Sequence, residues 1–417
     1  MGQPQHLYIH IPFCHHRCCY CDFVTYAGME DRIEAYVAAV CRELAMLAQI
    51  GHGTPACFRA PLRPSIFFGG GTPSLLSPAQ IERIIATAEQ VLPLADAEIS
   101  LEVNPGSFLG TGLREQGRTA RHYFGKLAQM GINRLSLGVQ TLHDPTLRVI
   151  GRQHTAMEAR QCYDAARRVG FAQISLDMMF GLPGQTLAQW QADLEEIIAW
   201  QPEHLSVYSL ILEERAPLYQ QVAQGALALP DDDTSAMMYE MTLEQLATAG
   251  YVGYEISNWA RIDSVAGLDT RCQHNLAYWL NSDYLAAGAA AHGHIFPARY
   301  ANLAQIDTYI AEVSANRRPV ETWVHLNQAD GCAETMMMGL RLHTGVRYDH
   351  FQQRCGCALD AVYGGVLERL VAQGLLERDE HAVWLTYRGR MIGNQVFMQF
   401  LESGSKGSMA IPLRDSA

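Results

Sequence analysis

Short β-rich runs alternate with longer helical patterns through the first 250 residues. The runs predict strands over residues 7–11, 65–68, 98–103, 134–139, 174–179 and 205–212. Between them, helical patterns cover 31–50, 78–91, 122–130, 156–169, 187–200 and 232–249. Strands that alternate with helices imply a parallel sheet with helical crossovers. Six such units are too few for a closed eightfold barrel. The expected fold class is therefore α/β, an open, partial (β/α)6 TIM-like barrel, with an open doubly wound sheet as the alternative. Residues 51–64 and 107–120 are rich in Gly, Pro and polar residues and read as surface insertions. From about residue 327 the character changes. Helical patterns at 333–342 and 359–373, a β element at 383–385 and a helix at 387–401 predict a small α+β accessory domain. The expected organisation is a core over 1–250, an extension over 251–326, a C-terminal domain over 327–403 and a frayed polar tail over 404–417.

The composition narrows the options. The chain has 417 residues, 48% hydrophobic and 18% charged, an ordinary globular balance. A formal net charge of −12 makes it a poor polyanion binder, and no nucleic-acid partner is expected. No apolar run is long enough to span a membrane. The opening MGQPQHLYIHIPFC lacks the charged segment and long apolar run of a secretory signal. Eleven cysteines without export suggest thiols and metal ligation rather than a disulfide framework. The expected place is the cytoplasm.

The densest chemistry is FCHHRCCYCDF, where Cys14, Cys18 and Cys21 have the spacing C-x3-C-x2-C directly after the first strand. Thiolates are the usual protein ligands of iron–sulfur clusters. Three of them leave one iron of a cubane open to a small molecule. Buried structural thiols are one alternative. A zinc site is another, although it usually takes four protein ligands. The next strands also end in polar groups: Gly69-Gly70-Gly71-Thr72-Pro73, Glu102 in LEVNPG, Gln140 in RLSLGVQ, Asp177 in ISLDMMFGLPGQT, and Tyr208 on the sixth. C-terminal strand ends of a parallel barrel converge on one mouth. The cysteine loop, the glycine loop, Glu102, Gln140 and Asp177 are therefore expected to share a cavity. Taken singly, Glu102 could be a solvated strand end and Asp177 a turn cap.

The cysteine spacing resembles the signature of the radical S-adenosylmethionine (SAM) superfamily, with Tyr20 at its aromatic position. Cys19 departs from the usual proline and is not expected to be a ligand. The resemblance implies a 4Fe–4S cluster on Cys14, Cys18 and Cys21 whose open iron holds SAM, cleaved reductively to a 5′-deoxyadenosyl radical. It runs from residue 7 to about 401 and is to the oxygen-independent coproporphyrinogen III oxidase-like group. It implies SAM contacts at Tyr8, Gly70, Gly71, Thr72, Glu102, Gln140, Arg152 and Asp177, and a winged-helix-like C-terminal domain. Within that group the oxidases carry a fourth cysteine where this chain has Phe23. They also have a longer segment before the cluster. The run HNLAYW, with His274, Tyr278 and Trp279, is similar to the HNxxYW motif of the HemW-type heme chaperones, as are YEISNWA and FGLPGQT. Simple packing of these three residues is the alternative. His292 and His294 in GAAAHGH are further candidate heme ligands. Met336–Met338 read as core, and Cys355 and Cys357 as incidental.

The resemblance implies a carrier that binds heme and delivers it to acceptor apoproteins, membrane respiratory proteins among them. The alternative is an oxidase converting coproporphyrinogen III propionates to vinyl groups. Implied partners are heme or porphyrin, a flavodoxin or ferredoxin as electron donor, and a second copy of the chain in a homodimer. Peripheral attachment at a membrane would follow from a membrane-bound acceptor.

Overall fold

A computed structural model describes residues 4–50, 62–108, 119–261 and 269–404. Most of the two expected insertions (51–61 and 109–118) and the tail from 405 lie outside the described residues.

The six expected core strands are present as β1 (His6–Ile11), β2 (Ser65–Gly70), β3 (Glu98–Val103), β4 (Arg134–Gln140), β5 (Gln173–Phe180) and β6 (His204–Ser209). They pair in parallel in chain order. A doubly wound sheet reverses its strand order at a switch point. This one does not, which decides for the barrel-like winding. Three later strands extend the sheet: β7 (Tyr251–Glu255), β8 (Asn258–Arg261) and β9 (Leu285–Ala287). Its order is β9-β1-β2-β3-β4-β5-β6-β8-β7, with β9 parallel to β1 and β8 antiparallel to both β6 and β7. The edge strands β9 and β7 do not pair with each other among the described residues, so the barrel is open.

The main crossover helices are α1 (Ile33–Ile50), α2 (Pro78–Ala88), α3 (Ala120–Gln129), α4 (Ala156–Val169), α5 (Leu187–Trp200) and α6 (Asp232–Thr248). Their starts are set by local chemistry. Ser77 with Gln80, Thr155 with Glu158 and Thr186 with Gln189 form reciprocal capping boxes. Gly170, at φ 99°, ends α4 in the left-handed region.

Side-chain alternation along the strands divides the barrel in two. Leu7, Ile9, Ile66, Phe68, Ile99, Leu101, Leu135, Leu137, Ile174, Leu176, Leu205 and Val207 are buried in the hydrophobic core shared with the helices. The intervening positions carry Tyr8, Phe67, Glu102, Arg134, Ser136, Ser175, Asp177, His204 and Ser206, which line the inner cavity. A strand reverses side-chain direction at each residue, so one face builds the core and the other a polar lumen.

Beyond β9, the antiparallel sheet β10 (His292–Ile295), β11 (Ala298–Asn302) and β12 (Val320–His325) follows. A second hydrophobic core lies in the C-terminal region, around Met336, Phe351, Leu367, Val383 and Phe400. It joins helices α8 (Gln328–Gly339), α9 (Tyr348–Cys355), α10 (Leu359–Ala372) and α11 (Gly393–Gly404) to a small antiparallel sheet of β13 (Val346–Arg347), β14 (Leu376–Arg378) and β15 (Ala382–Leu385). Helix α7 (Gln273–Trp279) is the HNLAYW segment and packs against both β2 and α8. No helix among the described residues is long and apolar enough to cross a membrane.

Candidate functional site

Cys14 ends a two-residue strand, Phe13–Cys14, paired with Tyr26–Ala27. The Tyr26 N–H also donates to the Pro12 carbonyl at 2.7 Å. The loop bearing Cys18, Cys19 and Cys21 is thus closed at its base. Thr72 Oγ1 donates to Cys14 Sγ at 3.5 Å, and Arg152 Nη1 donates to Cys18 Sγ at 3.7 Å. Burial pushes the Cys14 and Cys21 thiols up, and the neighbouring cysteine charges push the same way. Metal ligation removes that penalty by neutralising the thiolates.

Cys19 is held differently. Its thiol donates to the Val149 carbonyl at 3.2 Å, its N–H to Ile150 O at 3.3 Å, and its carbonyl accepts from Leu218 N–H at 2.9 Å. Cys14, Cys18 and Cys21 stand in one loop, and among the described residues the Cys14 and Cys21 thiols make no such bond to a backbone carbonyl. Three thiolates are a donor set suited to an iron–sulfur cluster.

The glycine loop packs directly on this loop. A Cβ on Gly71 would stand 2.7 Å from the Phe13 carbonyl oxygen, so packing alone requires glycine there. Gly70 has φ 111°, and its N–H donates to Glu102 Oε2 at 3.2 Å. Tyr8, Gly70, Glu102, Asp177, His274 and Tyr278 share one cavity of about 340 Å³, with Phe23 and Tyr208 also in its lining. Thr72, Arg152 and Cys18 line a separate small cleft beside it. Gln140 sits at a bulge with φ 71°. Its amide nitrogen and Arg152 Nη2 both approach the space a Gly138 Cβ would fill, so Gln140 stands with Arg152 rather than in the larger cavity. Arg152 also donates to Asn104 Oδ1 at 3.1 Å and to the Gly138 carbonyl, and its buried Nε has no partner among the described residues. Tyr20 packs with Ile150, Met179 and Leu182, and burial pushes its phenol up.

Two carboxyls face the lumen. Burial raises Glu102 to about 8, with the Asp177 charge adding to it, and raises Asp177 to about 6. Ser136 Oγ donates to Asp177 at 2.9 Å. A cationic ligand would favour ionisation of both.

His274 is nearly fully buried. Its Nδ1 shares a 2.8 Å hydrogen bond with Ser65 Oγ, and its Nε2 a 2.9 Å bond with Tyr278 Oη. Ser65 in turn bonds His6 Nδ1 at 2.8 Å. Burial pushes the His274 imidazole well below the usual range, so it stays neutral with both nitrogens engaged. Trp279 turns away from the cavity, under the Arg341 guanidinium at 4.5 Å. His292 is exposed, and His294 is buried against Arg354.

Sequence reasoning did not single out Arg134, Ser136, Ser175, His204, Ser206 and Asn258 as lining residues. Ser175 Oγ bonds His204 Nδ1 at 2.8 Å, and His204 Nε2 bonds Tyr254 Oη at 2.9 Å. The signal was present as polar residues at alternate positions of RLSLG, ISLD and HLSVY.

The family model of the Radical SAM superfamily matches residues 8–197, and that of the HemN C-terminal domain matches 326–392. A heme chaperone HemW of Bacillus subtilis is 36% identical over 397 residues, covering 94% of this chain and 98% of its own. The chain belongs to the HemW family. The HemW of Lactococcus lactis is 33% identical over 96% of this chain and 98% of its own. Radical S-adenosyl methionine domain-containing protein 1, mitochondrial, of mouse is 33% identical over 95% and 87%. Among solved structures, coproporphyrinogen III oxidase (HemN) from Escherichia coli, a radical SAM enzyme, is similar with a TM-score of 0.76. It is 24% identical and covers 95% of this chain and 90% of that one, a likeness of fold. Radical SAM membership of this HemW-family chain carries the cofactors of that superfamily, a 4Fe–4S cluster and SAM.

Proposed function

We propose that this protein binds heme and hands it to acceptor proteins, with a 4Fe–4S cluster on Cys14, Cys18 and Cys21 and SAM in the lumen. One observation carries the reading against an oxidase. The residue at the place of the oxidases' fourth cysteine is Phe23, 69% exposed and in the lining of the cavity. It offers an aromatic face where the oxidases hold a thiol. The HemW names of the relatives support the same reading. Acceptor apoproteins, a flavodoxin or ferredoxin as donor, and a homodimer are parts of this proposal.

SAM is proposed to reach from the lumen toward the small cleft beside it, held by Tyr8, Gly70, Glu102 and Asp177 on the lumen side and by Thr72, Gln140 and Arg152 on the cleft side, with Gly71 in the connecting glycine loop. When bound, the cluster supplies the electron that cleaves SAM. A cavity of about 340 Å³ lies near the small end of ligand sites, roughly 300–1,000 Å³. It suits one such ligand, so heme belongs at the mouth or the outer surface. Glu102 and Asp177 contribute charge. Their raised values mean that the protonated carboxyls are favoured in the free protein, and this stability is lost as pH rises through about 6 for Asp177 and about 8 for Glu102. A cationic ligand pulls both toward the carboxylate and releases protons. SAM affinity is therefore expected to rise with pH, first through about 6 and again through about 8. Asp177→Asn should remove the lower inflection and cost about 1–3 kcal/mol of binding, with the cluster intact. Calorimetry in buffers of different ionisation enthalpy checks both.

His274 is expected to support heme binding by holding Tyr278 and the cavity wall, since both its nitrogens are already bonded. His274→Ala should weaken heme binding without changing the ferric spin state; a changed spin state would make it a ligand. The function itself is tested by turnover. Cluster-loaded protein with SAM and a reductant should form no protoporphyrinogen from coproporphyrinogen. Formation of that product would select the oxidase.

A further inference from the structure

Three thiols gather in the C-terminal core, away from the barrel. Cys332 lies in α8, Cys355 ends α9, and Cys357 follows the left-handed Gly356. Cys332 Sγ and Cys357 Sγ are 3.9 Å apart. Cys355 Sγ donates to Thr335 Oγ1 at 3.7 Å and to the Gly331 carbonyl at 4.0 Å, both one turn or less from Cys332 on α8. Burial pushes up the phenol of Tyr363 beside them, whose buried Oη has no hydrogen-bond partner among the described residues. Cys332 and Cys355 are buried, whereas Cys357 is partly exposed. A small oxidant can therefore reach one thiol of a pair whose other member is sealed in the core.

We propose that Cys332 and Cys357 form a reversible disulfide when the protein meets hydrogen peroxide. The separation must close from 3.9 Å to about 2.05 Å. The Cys357 thiolate sulfur attacks one peroxide oxygen, the O–O bond breaks, and the departing hydroxide takes up the thiol proton as water. The Cys357 sulfenic acid is then attacked by Cys332 sulfur. Its S–O bond breaks, and hydroxide leaves with the Cys332 proton as a second water. Two thiols lose two electrons and one peroxide gains them. A neighbouring thiol at sulfenic range diverts oxidation from the irreversible acids to the disulfide.

The bridge would tie α8 to the turn after α9, where Gln328 Nε2 already donates to the Cys355 carbonyl at 2.8 Å. Helix α8 packs on α7, and Thr335 Oγ1 accepts from Asn281 Nδ2 at 3.2 Å just past the HNLAYW helix. The thiol pair therefore lies one helix away from His274 and Tyr278.

The test uses the full cluster-loaded chain, exposed to stoichiometric hydrogen peroxide, quenched by alkylation and mapped by mass spectrometry. The alkylated Cys332 peptide should disappear into a species linked to the Cys357 peptide, restored by dithiothreitol. The link should persist in Cys355→Ser. In Cys357→Ser, which keeps the buried core thiols, Cys332 should stay fully alkylated after peroxide. The proposal falls if Cys332 stays alkylated in the wild type while Cys357 reaches sulfinic acid. It also falls if Cys332 links only to Cys355 or to the Cys14–Cys21 run, or if Cys357→Ser loses its Cys332 thiol as fast as wild type.

Discussion

Single Cys→Ala changes at positions 14, 18 and 21 are each expected to remove the cluster, while Cys19→Ala keeps it. The three candidate thiols stand in one closed loop, with Thr72 and Arg152 aimed at two of the sulfurs. The Cys19 thiol is already spent on Val149. Losing one of three ligands leaves a second iron open, and a cubane so exposed is not retained. Iron and sulfide content, with the visible absorption band, gives the readout after anaerobic reconstitution. Cluster loss in Cys19→Ala as complete as in Cys14→Ala would overturn the assignment.

The largest effect on stability is expected from Arg354→Ala, about 3–5 kcal/mol. Arg354 Nη1 and Asp283 Oδ1 are 3.0 Å apart, with side chains only 3% and 2% exposed. Arg354 Nη2 also reaches His294 Nε2 at 3.3 Å. This pair joins α9 of the C-terminal region to the segment entering β9. Removing the guanidinium leaves a buried carboxylate without that countercharge, although the Phe296 N–H still donates to its Oδ1 at 3.1 Å, and this costs far more than losing an exposed pair would. Urea unfolding of wild type and variant measures it. The double change Arg354→Met with Asp283→Leu should recover part of the loss, because it removes both charges while costing the Phe296 N–H its acceptor.

How far the chain could be read in advance follows from the range of the interactions. Helices α4 and α5 begin and end where the sequence reading puts them, because Thr155–Glu158 and Thr186–Gln189 write their starts locally. The spacing predicts one unbroken helix over 387–401. It divides at Ile392, whose φ of −119° and ψ of 32° leave the helical region just before Gly393, a break that a helical periodicity alone does not show. The strand expected over 205–212 stops at Ser209, where pairing with β5 ends. Strand β9 is only Leu-Ala-Ala, of low β propensity, and exists because β1 offers a parallel edge some 280 residues upstream.

The site divides the same way. The cysteine spacing and the glycine run are short motifs and were legible. Three arrangements depend on contacts across the whole chain: the Ser65–His274 bond, the placement of Gln140 with Arg152 at a bulge, and the outward turn of Trp279. The polar lumen lay between these cases. Its alternation is written in each strand, yet it acquires meaning only when six strands wind in chain order and bring those faces together.

Heme carriage is decided by titrating the cluster-loaded full chain with heme and following the Soret band. A carrier gives saturable binding at a fixed stoichiometry, with a band distinct from free heme. A titration that never saturates, with the cluster present and again with it removed, would show that the protein does not carry heme.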